Sequence, residues 1–361
     1  MKRCLLVINP NAGGGQSVEE LKRQLLAAVR PYQDLELVDL GVLVPDSVAD
    51  MTDRLRSRLP VLDCVVVAGG DGTIADVINA MLEASAGRVA ADRLPVLGII
   101  PVGTGNRLAN HLNLPLSFKR AWKAILMGAT CPLDLGMVTV SALHGGHGGH
   151  GGDQVSRYFS LMAGAGIDAQ IIENVRSVEK KHLGLFAYIW QGAMQAFTTP
   201  YAFFDITIDD KPTLTVKGIG ATVANAANLL GEVLTLSPGS RTDDGLLDVC
   251  VIASKQRLDY WTTVVQMLMH QHSLAPDKPL KEGLSHFRGK HITITSRPRL
   301  KVQADGDVIG RTPATMTIVP QAIQVCVPTA EVMAVPLIEP LYKTAETLRY
   351  IIDELTRQQL P

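Results

Sequence analysis

At 361 residues, 47% of them hydrophobic and 19% charged, the chain is long enough for two domains that each bury a core, and it reads as soluble and globular. A formal net charge of -1 argues against nucleic acid as a bulk electrostatic partner. No apolar segment reaches membrane-spanning length, so the expectation is a cytoplasmic protein that meets membranes only peripherally, with no transmembrane segment. Cys4, Cys64, Cys131, Cys250 and Cys326 are far apart in sequence and mostly lie in apolar runs. They read as small buried hydrophobes of a reducing compartment, not as a disulfide or zinc framework.

Met1-Lys2-Arg3 and the short apolar run after it lack the length and cleavage pattern of a signal peptide, and read as a first strand over Cys4 to Ile8. The loop Asn9-Pro10-Asn11-Ala12-Gly13-Gly14-Gly15 follows. Ser17 and Glu20 have capping-box spacing, and Val18, Leu21, Leu25, Ala28 and Val29 mark one helix face. A second strand is predicted over Leu35 to Leu40 and a second helix over Asp46 to Arg58. Val65-Val66-Val67 is a buried strand that runs into Ala68-Gly69-Gly70-Asp71-Gly72-Thr73. Ile74, Val77, Ile78, Met81 and Leu82 then take helical spacing, with Thr73 and Asp76 as a shortened capping box. Leu97 to Ile100 is another strand, which ends in Pro101-Val102-Gly103-Thr104-Gly105-Asn106 before a helix that starts near Arg107.

Strand, loop and helix alternate here, which predicts a parallel sheet covered on both faces. Three of its strands end in polar, glycine-rich loops, and in such sheets ligands bind along that edge. At Gly69–Thr73, glycines let backbone N–H groups approach an anion at a helix N-terminus. Asp71 is the odd member, because a carboxylate repels a phosphate unless a cation lies between them.

From about Leu133 the texture changes to successive strands: Arg157–Ala163, Ala202–Ile208, Leu214–Ala224, Leu246–Ile252, His291–Thr295 and Leu300–Ala304. Asp209-Asp210-Lys211-Pro212 looks like a hairpin connection. Few helices interrupt them, roughly Lys180–Phe197 and Leu258–His272, so an antiparallel sandwich or barrel is expected. The predicted division is 1–132 for an α/β domain, 133–328 for a β-rich, sandwich-like domain and 329–361 for an extension with an amphipathic helix. The last of these would dock onto the protein or onto a second subunit as a homodimer. The run from His144 to Asp153, with His147 and His150, reads as a Gly-rich loop before it reads as a metal site. Gly164 to Ala169 matches a dinucleotide fingerprint but lacks the surrounding βαβ pattern. Neither a Walker A motif nor the protein-kinase signatures occur.

The motifs that remain occur in a definite order. Asn9 to Gly14, Gly69 to Thr73, Pro101 to Asn106, Leu133-Asp134-Leu135-Gly136, Asp244-Gly245-Leu246-Leu247-Asp248 and Asp305-Gly306-Asp307 together resemble the diacylglycerol kinase catalytic-domain family. The likeness is closest to its bacterial lipid kinases, relatives of sphingosine kinases and more distantly of NAD kinases, and it spans about residues 1 to 328. The resemblance implies an ATP-dependent lipid kinase with Mg2+, acting on a lipid substrate at a membrane surface. Nucleotide binding is expected from Asn9, Pro10, Asn11, Ala12 and Gly13, from Gly69, Gly70, Asp71, Gly72, Thr73, Ile74 and Ala75, and from Thr104. Magnesium would take the Asp244 carboxylate and the Arg241 and Leu246 carbonyls. Asp307 would be the general base, with Asp71 and Asp134 in the acidic centre near the reacting phosphate. Another acceptor, such as a sphingoid base or NAD, is the alternative, as is a nucleotide-binding regulator with little turnover.

Three positions depart from the family pattern. Asp307 is one methylene shorter than the usual Glu. Arg107 follows Asn106 where many relatives carry Asp. Around Gly41 to Asp46, the threonine that many members place after the second strand has no clear counterpart.

Overall fold

The computed structural model describes residues 1–9, 17–86, 94–141, 154–166, 201–226, 240–253 and 283–334. The strands β1 (Lys2–Ile8), β2 (Val38–Leu43), β3 (Cys64–Gly69) and β4 (Val96–Pro101) pair in parallel in the order β2-β1-β3-β4. β1, β3 and β4 are largely buried on both faces, as their apolar runs require, whereas β2 at the edge exposes Asp39 and Gly41. Leu5, Val7, Val65 and Val67 enter one core, while Cys4, Leu6, Ile8, Cys64, Val66 and Ala68 enter the other. The helices α1 (Val18–Asp34), α2 (Val48–Arg58), α3 (Asp71–Ser85), α4 (Arg107–His111) and α5 (Phe118–Met127) accompany this sheet. Trp122 of α5 is fully buried and its indole N–H donates to the Leu25 carbonyl, joining α5 to α1.

The remaining strands pair mainly antiparallel: β5 (Ala129–Ser141), β6 (Gln154–Phe159), β7 (Met162–Gly166), β8 (Ala202–Ile208), β9 (Leu214–Ala224), β10 (Leu247–Ala253), β11 (Gly283–Gly289), β12 (His291–Arg297), β13 (Lys301–Ala304) and β14 (Asp307–Val327). Six of them close a ring, β14-β12-β8-β9-β7-β13, around a core that includes Phe204, Ile206, Val223, Ile292, Val302 and Met316. Of the antiparallel sandwich or barrel expected here, these strands take the barrel-like form of closure. Closure removes two exposed sheet edges. β14 also reaches β4, which it meets in parallel at Val325 and Leu97, so one sheet runs through the described molecule. α6 (Ala330–Ala334) follows β14.

Several boundaries differ from the sequence reading. β2 begins three residues late, because α1 runs on to Asp34 and Glu36 takes a left-handed turn, φ 54°. α3 starts at Asp71 with Gly70 as its N-cap, so Thr73 lies inside the helix and the shortened capping box does not form. The run Arg157–Ala163 is two strands, broken at Ser160–Leu161. β5 passes unbroken through Pro132, where a boundary was expected. Residues 144–153, 180–197, 258–272 and 341–360, for which a loop and helices are expected, lie outside the described residues, as do the last three positions of the Gly164–Ala169 fingerprint.

Candidate active site

Asn9, just after β1, and the loops after β3 and β4 meet at one edge, where the Asn9 amide donates to Thr73 Oγ1 at 2.9 Å. Gly69 makes that approach feasible, because a Cβ there would stand 2.4 Å from the Thr73 side chain. The loops after β3 and β4 touch backbone to backbone: a Cβ on Gly103 would come within 2.5 Å of Gly70 Cα. Asn106, at φ 46°, folds its side chain back onto Gly103, accepting from its N–H and donating to its carbonyl. Gly72 and Thr104 are exposed, whereas the Ile74 and Ala75 side chains are buried in the core, so these two can offer a ligand only backbone. Pro10, Asn11, Ala12 and Gly13 lie outside the described residues.

Asp71 joins the loop after β3 to the loop after β4. Its Oδ1 accepts from the Leu108 N–H at 3.2 Å, inside the first turn of α4, and its Oδ2 lies 3.6 Å from Arg107 Nε. The carboxylate thus already faces a cation and a helix start, both of which favour its charge.

Asp305-Gly306 is a two-residue hairpin turn between β13 and β14, with φ of 45° and 96°. Positive φ at both positions is the type I′ geometry that Asp-Gly favours. The two aspartates of this motif then face different ways. Asp305 is buried, and its oxygens accept from the Ser160, Leu161 and Met162 N–H groups and from the Ser160 hydroxyl, at 2.7–3.0 Å. Burial raises this carboxyl above its ordinary value, and the hydrogen bonds to both oxygens pull it only partly back. This clamp is also what breaks the Arg157–Ala163 run. Asp307, two residues on, is partly exposed and accepts from Arg157 Nη2 at 2.9 Å.

The same Arg157 nitrogen donates to Asp76 Oδ1 at 2.7 Å. Asp76 and Asn79 lie three apart on α3 and share a face. Asn79 grips the residue next to Arg157: its amide donates to the Tyr158 carbonyl and its Oδ1 accepts from the Tyr158 N–H, both at 2.9 Å. Asp76, Asn79 and Arg157 were not singled out as site residues from sequence. Arg157 had appeared only as the start of an expected strand, and Asp76 only as half of a cap.

The other acidic positions have distinct surroundings. Asp134 is buried, and its two oxygens accept from the Gly245 and Gln321 N–H groups, each at 2.7 Å. It therefore ties the turn before β10 to a bulge in β14. Asp244 Oδ1 accepts from the Leu246 N–H at 3.1 Å, and its Oδ2 is paired closely with Arg288 Nη2. Arg241 is paired with Asp243. One carboxylate with the Arg241 and Leu246 carbonyls is oxygen chemistry that suits magnesium. As arranged here, however, the set does not fit a bound ion, because Arg288 holds the Asp244 oxygen an ion would need. Among the described residues no cluster of three or more His, Cys, Asp or Glu could hold a metal, and no helix is long and apolar enough to cross a membrane.

The model of the diacylglycerol kinase catalytic domain matches residues 3–138, and that of the YegS C-terminal NAD kinase beta sandwich-like domain matches residues 162–327. Over its N-terminal part the chain thus matches the diacylglycerol kinase catalytic-domain family, and over most of the remainder a domain described as NAD kinase beta sandwich-like. An uncharacterised protein of Synechocystis is 27% identical, over 90% of this chain and 70% of its own. The diacylglycerol kinase of Bacillus subtilis is 24% identical, over 91% of this chain and 97% of its own. The crystal structure of a diacylglycerol kinase from Bacillus anthracis superposes with a TM-score of 0.63 at 20% identity, over 91% of this chain and 98% of that one. This last likeness concerns the fold.

Proposed function

We propose that the protein is an ATP-dependent lipid kinase that transfers the γ-phosphoryl group to a hydroxyl of a membrane lipid such as diacylglycerol. The observation that carries this reading is the placement of Asp307. A partly exposed carboxylate from the β-rich part is hydrogen-bonded through Arg157 to α3, the helix that starts at the Gly69–Thr73 loop. In this reading residues 1–132 hold the nucleotide and residues 133–328 present the acceptor. The loops supply backbone N–H groups and Arg107 a cation beside the phosphates. The lipid hydroxyl oxygen attacks the γ-phosphorus, the bond to the β–γ bridging oxygen breaks, and ADP leaves. Asp307 takes the hydroxyl proton. Magnesium arriving with ATP would neutralise phosphate charge, and no step here depends on a resident ion at Asp244.

The test is transfer from labelled ATP to lipid vesicles containing diacylglycerol or a sphingoid base, with NAD as a soluble acceptor. Labelled diacylglycerol is expected. Asp307→Asn should lower kcat by about 10²–10⁴-fold, the usual worth of a general base, and Asp71→Asn should abolish transfer by loosening the loops. Transfer to NAD alone would overturn the lipid assignment. Nucleotide binding with no transfer to any acceptor would make the protein a regulator.

A further inference from the structure

We infer that Arg157 is a positioning residue that holds Asp307 in place relative to the nucleotide-binding helix, with Asp76 as its anchor. The inference rests on the reading of Asp307 as the base.

The geometry is specific. Both carboxylates use one nitrogen, Nη2, whose two N–H groups point one to Asp76 and one to Asp307, at 2.7 and 2.9 Å. Arg157 Nε is buried without a hydrogen-bond partner. A buried unmet donor on a charged group is costly, so this side chain forgoes a bond at Nε in a position that puts Nη2 between two acids. The partners come from three elements, α3, β6 and β14, separated by 81 and 150 residues in sequence. Arg157 is also fixed from behind, because Asn79 takes both backbone polar groups of Tyr158.

Asp76 lies five residues into the helix that begins at Asp71. At about 1.5 Å per residue, that is about 7.5 Å along the axis from the nucleotide loop. Asp71, Asp76 and Asn79 are thus fixed on one rigid rod, and Arg157 carries that reference across to Asp307. The tie would offset the shortness of Asp307 by fixing where its carboxylate stands, and small misplacements of a reacting group are expensive. Burial pushes the Asp76 carboxyl up despite the guanidinium, and Asp307 adds to the rise. Two acids this close therefore depend on the cation between them. Lysine is a poor substitute, since its single ammonium on a flexible stem lacks the planar fork.

The experiment compares wild type, Arg157→Gln, Arg157→Lys, Asp76→Asn, Asp307→Asn and the Arg157→Gln/Asp307→Asn double variant in the diacylglycerol transfer assay. ATP binding and the thermal midpoint are measured on each. Arg157→Gln is expected to lower kcat by about 10²-fold with the KM for ATP changed by less than about threefold, the pattern of a lost transition-state contact. Arg157→Lys and Asp76→Asn should fall between it and wild type. The double variant should be no slower than Asp307→Asn alone, because Arg157 acts through Asp307. Losses that multiply in the double variant, or an Arg157→Gln enzyme with wild-type kcat, overturn the inference while leaving the lipid-kinase reading intact. If Arg157→Gln does not fold, Asp76→Asn decides: wild-type kcat in a folded Asp76→Asn enzyme removes the anchor role. A wild type that phosphorylates no lipid overturns the underlying reading, and this inference with it.

Discussion

Three of the acidic side chains expected at the site from sequence each meet an arginine: Asp71 meets Arg107, Asp244 meets Arg288, and Asp307 meets Arg157. A carboxylate near a bound triphosphate is unfavourable unless a cation separates the charges, and this chain supplies its own. Asp76, the second acid on Arg157, is the group whose protonation should be felt in stability. Burial raises its carboxyl, with Arg157 pulling it partly back. A carboxyl raised on folding binds its proton more tightly in the folded state. Its stabilising contribution is therefore present below the unfolded value and is lost as pH rises through the folded one. Asp76→Asn removes that loss while keeping an acceptor for Arg157. Its thermal midpoint should match wild type near about pH 4 and exceed it near about pH 7.5. A difference that is constant across that range would show that Asp76 does not titrate differently on folding. Together with the lower kcat expected of the same variant, this would be stability gained at a site at the expense of its activity.

At the scale of elements, the edge where the β3 and β4 loops meet depends on a contact between two glycines. Gly70 and Gly103 bring the loops after β3 and β4 together, and a methyl on Gly103 would stand 2.5 Å from a backbone atom that cannot yield as a flexible side chain could. Gly103→Ala should cost about 1–3 kcal/mol by overpacking and, by parting the loops, weaken ATP binding at least tenfold. Calorimetric titration measures the second effect, and unchanged affinity would mean the loops do not act together. The loops were legible in sequence because their requirements are local, glycine for close approach and Asn or Asp for turns. β14 was not legible. It is a 21-residue strand with register shifts near Pro313 and Pro320, and glycine and proline inside a run read as breaks. The shift near Gln321 leaves its N–H to Asp134, a carboxylate 187 residues away, and no local pattern signals such a partner.

At the scale of the molecule, the parallel and antiparallel parts share one of the three cores formed by the described residues. Leu5, Val65 and Ile78 pack in the same cluster as Leu133, Leu161 and Ile323. β14 adds a second connection by passing from the closed ring to β4. The expected consequence is a single calorimetric unfolding transition, with calorimetric and van't Hoff enthalpies in agreement. Two resolved transitions would show that the parts unfold separately. Sequence alone determined the alternation of strands and helices, the strand-rich second half, and the ordered loops that carry the family likeness. Each of these is written in neighbouring residues, as periodicity or turn chemistry. Only the tertiary structure decided that the antiparallel strands close into a ring. It also set Asp134 and Asp305 to hold backbone rather than face outward, and placed one arginine between Asp76 and Asp307. Those outcomes depend on which strand lies beside which, and a buried charge finds its partner through the packing of distant elements, not through spacing along the chain.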